Sequence, residues 1–204
     1  MRNILIVGAG KSSPYLIKYL LEKSQSEALN LQITDRKIDH LEYFKKHERC
    51  SVSTINILDS KETEKFVLNS DIVISMLPAR FHMVLAKCCL KLKKNLLTAS
   101  YVSEEMKLLS TEVENNNLIF LNEVGLDPGI DHMSAKKIID ELAAKSLKVK
   151  SFKSYTGGLV APESDNNSWN YKFTWNPRNV VLAGQGPPAK FIENKKYKYI
   201  PYNR

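Results

Sequence analysis

Continuous apolar runs and helical periodicities alternate along the first part of the chain. "RNILIVGAG" is apolar without alternation and stops at a glycine turn, as expected of a parallel strand covered on both faces. A helix follows, with Ser13 as its cap, Pro14 at its first position, and Leu16, Ile17, Leu20 and Leu21 as its apolar face. "LQITD" reads as a second strand and "DHLEYFKKH" as a short helix. "CSVSTINI" is a third strand, and "DSKETEKFVLNS" a polar helix with an Asp or Ser cap. "DIVISMLP" is a fourth strand, stopped by Pro78, and leads to the helix "RFHMVLAKCCLKLKK". "NLLTAS" is a fifth strand, "SEEMKLLSTEVENN" a helix opened by Ser103, and "LIFLN" a sixth strand. This alternation, without a sequence repeat, predicts an α/β architecture: a doubly wound parallel Rossmann sheet.

After Asn122 the pattern changes. A helix from about Asp131 to Ala144, capped by Asp131, leads to an alternating strand, "KVKSFKSYT". Then comes a segment rich in Gly, Pro, Asn and aromatic residues. The division falls near residue 125, with a Rossmann domain over 1–124 and the start of a second α+β domain over 125–204. One helix, one or two strands and a polar tail are too little to close a core. The chain is therefore expected to be a fragment, or to fold onto a partner.

Composition sharpens this division. Of 204 residues, 43% are hydrophobic, enough for a real core. No apolar stretch is long enough to span a membrane, and "MRNILIVGAGK" reaches Gly8 and Gly10 too early for a secretory signal, so a cytoplasmic protein is expected. The net charge of +8 is unevenly placed: residues 1–144 carry 19 basic and 19 acidic side chains, residues 145–204 carry 11 and 3. The excess lies in "KVKSFK" and "KKYKYI", at spacings that suit exposed strand faces. Anionic small substrates or an acidic partner segment fit it better than nucleic acid does. Cys50, Cys88 and Cys89 form no ligand pattern and are expected as plain thiols.

The candidate chemistry gathers where strands end. "VGAGKSSP" offers G-x-G-x-x-S between a strand and a helix. Gly8 permits the tight turn, Gly10 lets backbone approach a pyrophosphate, and Ser13 replaces the usual third glycine. Asp35, ending the second strand, suits the ribose hydroxyls of NAD, whereas Arg36 suits the 2′-phosphate of NADP; the two pull in opposite directions. "SMLPARFH" and "TASYVS" end the fourth and fifth strands at the same edge, which points Ser100 and Tyr101 toward the cleft. His82 invites a general-base reading, but a surface or capping histidine is the plainer one. Asp127, Asp131 and His132 lack a fourth partner for a metal, and none is expected. In "GLDPGIDH", Gly125 and Gly129 are read as bringing backbone close to a ligand, Pro128 as stiffening the loop, and Asp127 as an inward carboxylate.

These segments also carry a family likeness. "NEVGLDPGIDHMSAKKIIDE" with "KSFKSYTGGLVAPESDNNSWNYKFTWNPRNVVLAG", supported by "SMLP…H" and "TASYVS", resembles the saccharopine dehydrogenases of the glutamate-forming type, also called saccharopine reductases. The resemblance runs from Met1 to about Gly184. It implies interconversion of saccharopine with glutamate plus 2-aminoadipate semialdehyde by hydride transfer, using NADP or NAD. By motif position it implies cofactor contacts at Gly8, Ala9, Gly10, Lys11 and Ser12, at Asp35 and Arg36, at Asn56 and Ile57, at Met76, Leu77 and Pro78, and at Leu126 and Trp175. It implies substrate contacts at Ser100, Tyr101 and Asp127, with Tyr101 and Asp127 handling protons or orienting substrate. A substrate and dimerisation domain, completed in a chain about twice as long, and a homodimer are further implications. Family members often carry Cys where this chain has Thr156, so no thiolate acts there. A lysine 6-dehydrogenase-like enzyme and a non-catalytic dinucleotide-binding module are the rival readings.

Overall fold

The computed structural model describes residues 1–155, 160–173, 177–183 and 188–201. Two compact units emerge, Met1–Ser151 and Phe152–Arg204.

In the first unit, strands β1 (Arg2–Val7), β2 (Leu29–Asp35), β3 (Cys50–Thr54), β4 (Ile72–Ser75), β5 (Asn95–Thr98) and β6 (Phe120–Leu121) form one parallel sheet in the order β3-β2-β1-β4-β5-β6. Helices α1 (Ser13–Lys23), α2 (Glu42–Lys45), α3 (Ser60–Leu68), α4 (His82–Lys91), α5 (Glu104–Leu108), α6 (Ser110–Asn115) and α7 (Ile130–Ala144) connect or follow the strands. The doubly wound expectation for this part holds. The sheet reverses its order beside β1 and β4, which opens a crevice at their carboxyl ends.

Strand β1 shows why the run "ILIV" does not alternate. Ile4 and Ile6 pack with Ile17, Leu21, Leu31 and Ile33 on one face, while Leu5 and Val7 pack with Val67, Val73, Leu85 and Leu96 on the other. Both faces of the strand are covered, so every position must be apolar. Helix ends follow local chemistry. Asp59 caps α3 by accepting from the Lys61 and Glu62 amides at 3.0 and 3.1 Å, and Ser103 caps α5 through the Met106 amide at 3.1 Å.

Two predicted caps are corrected. Ser13 is the first residue of α1, and its buried hydroxyl turns back to the Gly8 carbonyl at 3.2 Å. A small side chain with its own acceptor can thus fill the third glycine position. Asp131 lies inside the first turn of α7, whose N-cap is Gly129; its carboxylate accepts from the Gly129 amide at 2.9 Å and meets His132 Nδ1 at 2.7 Å.

The second unit contains α8 (Pro177–Ala183) and an antiparallel hairpin of β7 (Ala189–Glu193) and β8 (Lys196–Ile200). Asn194 and Lys195 both have positive φ, +52° and +62°, the geometry a two-residue hairpin turn demands. "KKYKYI" is thus the exposed strand expected of it. "KVKSFKSYT" is not: its described residues, 148–155, form no strand. Alternation alone does not make a strand, because the ladder needs a neighbour to bond with. Thr156 and Trp175 lie outside the described residues.

Candidate functional site

The turn after β1 is clamped from two sides. The Ala9 amide donates to Asp35 Oδ2 at 2.6 Å, and His40 Nε2 lies 2.7 Å from the Ala9 carbonyl. Asp35 Oδ1 also accepts from the Lys37 amide at 3.2 Å. The Asp35 carboxylate is thereby drawn inward as a backbone brace. Arg36, beside it, is exposed and makes no hydrogen bond or ion pair among the described residues. Nothing in the sequence marks His40, whose role depends on the fold bringing the segment after β2 against the turn after β1.

Gly8 and Gly10 differ. Gly8 has φ +96°, and a Cβ there would sit 2.8 Å from the Met76 carbonyl carbon. That glycine lets β1 and β4 close at the crevice. At Gly10 a Cβ would meet nothing within 4 Å. The described residues do not fill that space, and among them the backbone N–H groups of Gly10, Lys11 and Ser12 have no partner. Unpaired amides at the N-terminus of an eleven-residue helix, beneath open space, can hold a pyrophosphate. Ala9 cannot offer its amide, since Asp35 takes it.

Around the same edge, Asn56 and Ile57 follow β3. The Asn56 side chain accepts from the Leu58 amide at 3.2 Å, and Ile57 packs against the core. Met76 and Leu77 follow β4 with their side chains turned into opposite core layers, while Pro78 is exposed.

The loops after β5 and β6 are laced together. The Glu123 and Val124 amides donate to the Ser100 and Thr98 carbonyls at 3.1 and 3.3 Å, and Glu123 Oε1 accepts from the Val102 amide at 3.0 Å. This lacing brings Tyr101 to Asp127: the phenol donates to Asp127 Oδ1 at 2.8 Å. The bond to Asp127 pushes the Tyr101 phenol above its ordinary value of 10, so it stays protonated at neutral pH. Both residues, and Leu126, are exposed.

The glycines of "GLDPGIDH" serve a different end from the one expected. A Cβ on Gly129, at φ +148°, would fall 2.1 Å from the Gly125 carbonyl oxygen, and one on Gly125 would fall 3.1 Å from Ala99. The Gly125 amide donates to the Pro128 carbonyl at 2.9 Å. These glycines let backbone approach backbone, which closes the turn on itself and leaves Asp127 at its tip.

His82 also departs from the expectation of a surface or capping residue. It is only 5% exposed, and its ring lies between the Ser75, Thr98 and Ser100 hydroxyls at 2.7, 3.1 and 2.8 Å. The available signal was a histidine just past a strand end, with hydroxyl residues ending two apolar strands. His132 is exposed on α7 beside Asp131. Cys50 and Cys88 are half-buried and Cys89 is buried; burial raises each thiol, to about 11 for the first two.

The profile of the saccharopine dehydrogenase NADP binding domain matches residues 4–121, and that of the saccharopine dehydrogenase C-terminal domain matches residues 125–204. The chain is 34% identical to saccharopine dehydrogenase [NADP(+), L-glutamate-forming] of Saccharomyces cerevisiae over 98% of its own length and 44% of the yeast protein. It is 48% identical to alpha-aminoadipic semialdehyde synthase of Arabidopsis thaliana over 69% of its length and 13% of that protein. The apo structure of the Saccharomyces cerevisiae L-Glu-forming enzyme superposes with a TM-score of 0.83 at 32% identity, covering all of this chain and 45% of the yeast one. The chain thus spans less than half the length of these relatives.

Proposed function

The chain belongs to the saccharopine dehydrogenase family, and we propose that the protein acts in the NADP-dependent interconversion of saccharopine with glutamate and 2-aminoadipate semialdehyde. The observation that carries the reading is the β1–α1 turn, with space left open above Gly10 and unpaired amides beneath it. The bound nicotinamide supplies the acceptor or donor of hydride. In the oxidative direction saccharopine loses hydride from carbon. Water then adds to the resulting carbon–nitrogen double bond, and the carbon–nitrogen bond breaks to release glutamate and the aldehyde.

The chain's own residues take the remaining tasks. The Gly10, Lys11 and Ser12 amides hold the pyrophosphate. Asp35 braces the turn, which leaves Arg36 free to pair with a 2′-phosphate and favours NADP over NAD. Leu77, Pro78 and Leu126 border the nicotinamide side. Tyr101, protonated and bonded to Asp127, orients substrate or supplies a proton as water leaves in the reductive direction, while Asp127 accepts one. Ser100 contacts a substrate carboxylate. Residues 125–204 begin a substrate domain, through which a homodimer forms in the longer protein.

Titration with NADPH and NADH, followed by tryptophan fluorescence and with circular dichroism as a folding control, tests this reading. Tighter binding of NADPH is expected; a folded chain that binds neither overturns it. Turnover assayed with saccharopine and with lysine separates this reaction from that of a lysine dehydrogenase. Cofactor binding without turnover of either marks the chain as a cofactor-binding portion.

A further inference from the structure

His82 has no task in the reaction as described, yet it sits against one of the substrate residues. Among the described residues its ring, at the start of α4, hydrogen-bonds only to hydroxyls: Nδ1 lies 2.7 Å from Ser75 Oγ, and Nε2 lies 2.8 Å from Ser100 Oγ and 3.1 Å from Thr98 Oγ1. No carboxylate or ammonium of the described residues is among its partners. Burial lowers the imidazole below its ordinary 6.5, so at neutral pH it carries one N–H and one lone pair. How the ring divides these between its two nitrogens decides what Ser100 can offer.

With the proton on Nδ1, Nε2 is an acceptor faced by both the Ser100 and the Thr98 hydroxyls, and the Ser100 hydrogen is drawn inward at the nearer contact, 2.8 Å against 3.1 Å. The cleft then sees only oxygen lone pairs. With the proton on Nε2, the ring donates to Ser100 Oγ, and the Ser100 hydrogen is released outward. The Ser100 backbone cannot adjust, because its amide donates to Thr98 Oγ1 at 3.2 Å and its carbonyl accepts from the Glu123 amide at 3.1 Å. The hydroxyl is the adjustable group. Ser75, buried and facing Nδ1, can donate to it in this second state. A carboxylate can only accept, so the second state, in which no ring nitrogen competes for the Ser100 hydrogen, is the one that serves a substrate carboxylate.

We propose that His82 is a positioning residue: as the Nε2–H tautomer, with Ser75 donating to Nδ1, it makes the Ser100 hydroxyl a donor to a substrate carboxylate. The ligand class rests on the function proposed above; the tautomer does not.

Long-range proton–nitrogen correlation on the nitrogen-15-labelled chain reads the tautomer without any ligand, with His82→Gln assigning the signals. Protonated Nε2 and bare Nδ1 are expected; the reverse overturns the proposal. Calorimetry with L-saccharopine on the NADPH-loaded chain tests the consequence. His82→Leu is expected to weaken binding about tenfold, as for one lost hydrogen bond to a charged group, and His82→Gln, whose amide replaces Nε2–H, to restore most of it. A folded Leu variant that binds as tightly as the parent overturns the proposal. A chain that takes NADPH but never L-saccharopine overturns the carboxylate role of Ser100, and the tautomer then stands or falls on the nitrogen-15 spectrum. Failure to bind NADPH would sink the functional reading and leave the tautomer result standing, so the two fail separately.

Discussion

In the turn after β1, a methyl group on Gly10 would enter empty space; in the turn after β6, one on Gly129 would land 2.1 Å from the Gly125 carbonyl oxygen. Both turns lie at the carboxyl edge of one sheet, and both look in sequence like glycine-rich loops built around a ligand. The first keeps space and amide donors in reserve. The second uses its glycines internally, so that Asp127 is held on a turn that supports itself and meets Tyr101. A glycine beside a cleft therefore has two physical meanings, and only the surroundings of its missing Cβ distinguish them.

Substitutions sharpen this contrast. Gly129→Ala forces a side chain into backbone at a positive φ and is expected to cost about 3 kcal/mol or more in urea unfolding. Gly10→Ala is the opposite case. Its stability should stay within about 0.5 kcal/mol of the parent, while its NADPH dissociation constant rises tenfold or more. Equal stability losses in both variants would erase the distinction between the turns. A third, smaller effect concerns cofactor choice: Arg36→Ala should weaken NADPH about tenfold, the order of one charge-assisted contact, and leave NADH nearly unaffected. An equal loss for both cofactors would move Arg36 away from the 2′-phosphate.

The smallest effect belongs to the second turn. Tyr101 is held above its ordinary value of 10 by its bond to Asp127, so the folded state keeps this proton to higher pH than the unfolded state does. The associated stability is fully present below pH 10 and fades as pH rises through the raised value. Asp127→Asn should shift the phenolate absorbance of Tyr101 to lower pH. No shift on that substitution would show that the bond does not govern the phenol.

The fold was largely legible because its signals are local. "ILIV" without alternation demands a strand covered on both faces, and Asp59 and Ser103 stand where a helix needs acceptors for its first amides. The strand expected in "KVKSFKSYT" was not local in this sense, because ladder bonds need a neighbour that the sequence pattern cannot name.

At the site, residue types at strand ends identified Gly10, Arg36, Tyr101 and Asp127 as candidates from the sequence alone. The partners were decided by tertiary structure. Asp35 reads as a ribose acceptor, and only the fold shows that its carboxylate also accepts from the Ala9 amide. Ser13 reads as a cap until the Gly8 carbonyl lies within reach. His82 reads as a surface residue until the ends of β4 and β5 surround it with hydroxyls. Sequence determines which groups can donate, accept or leave room, since that is fixed by covalent chemistry. Which group receives the bond depends on distances of about 3 Å between segments far apart in the chain, and those exist only once the sheet has assembled.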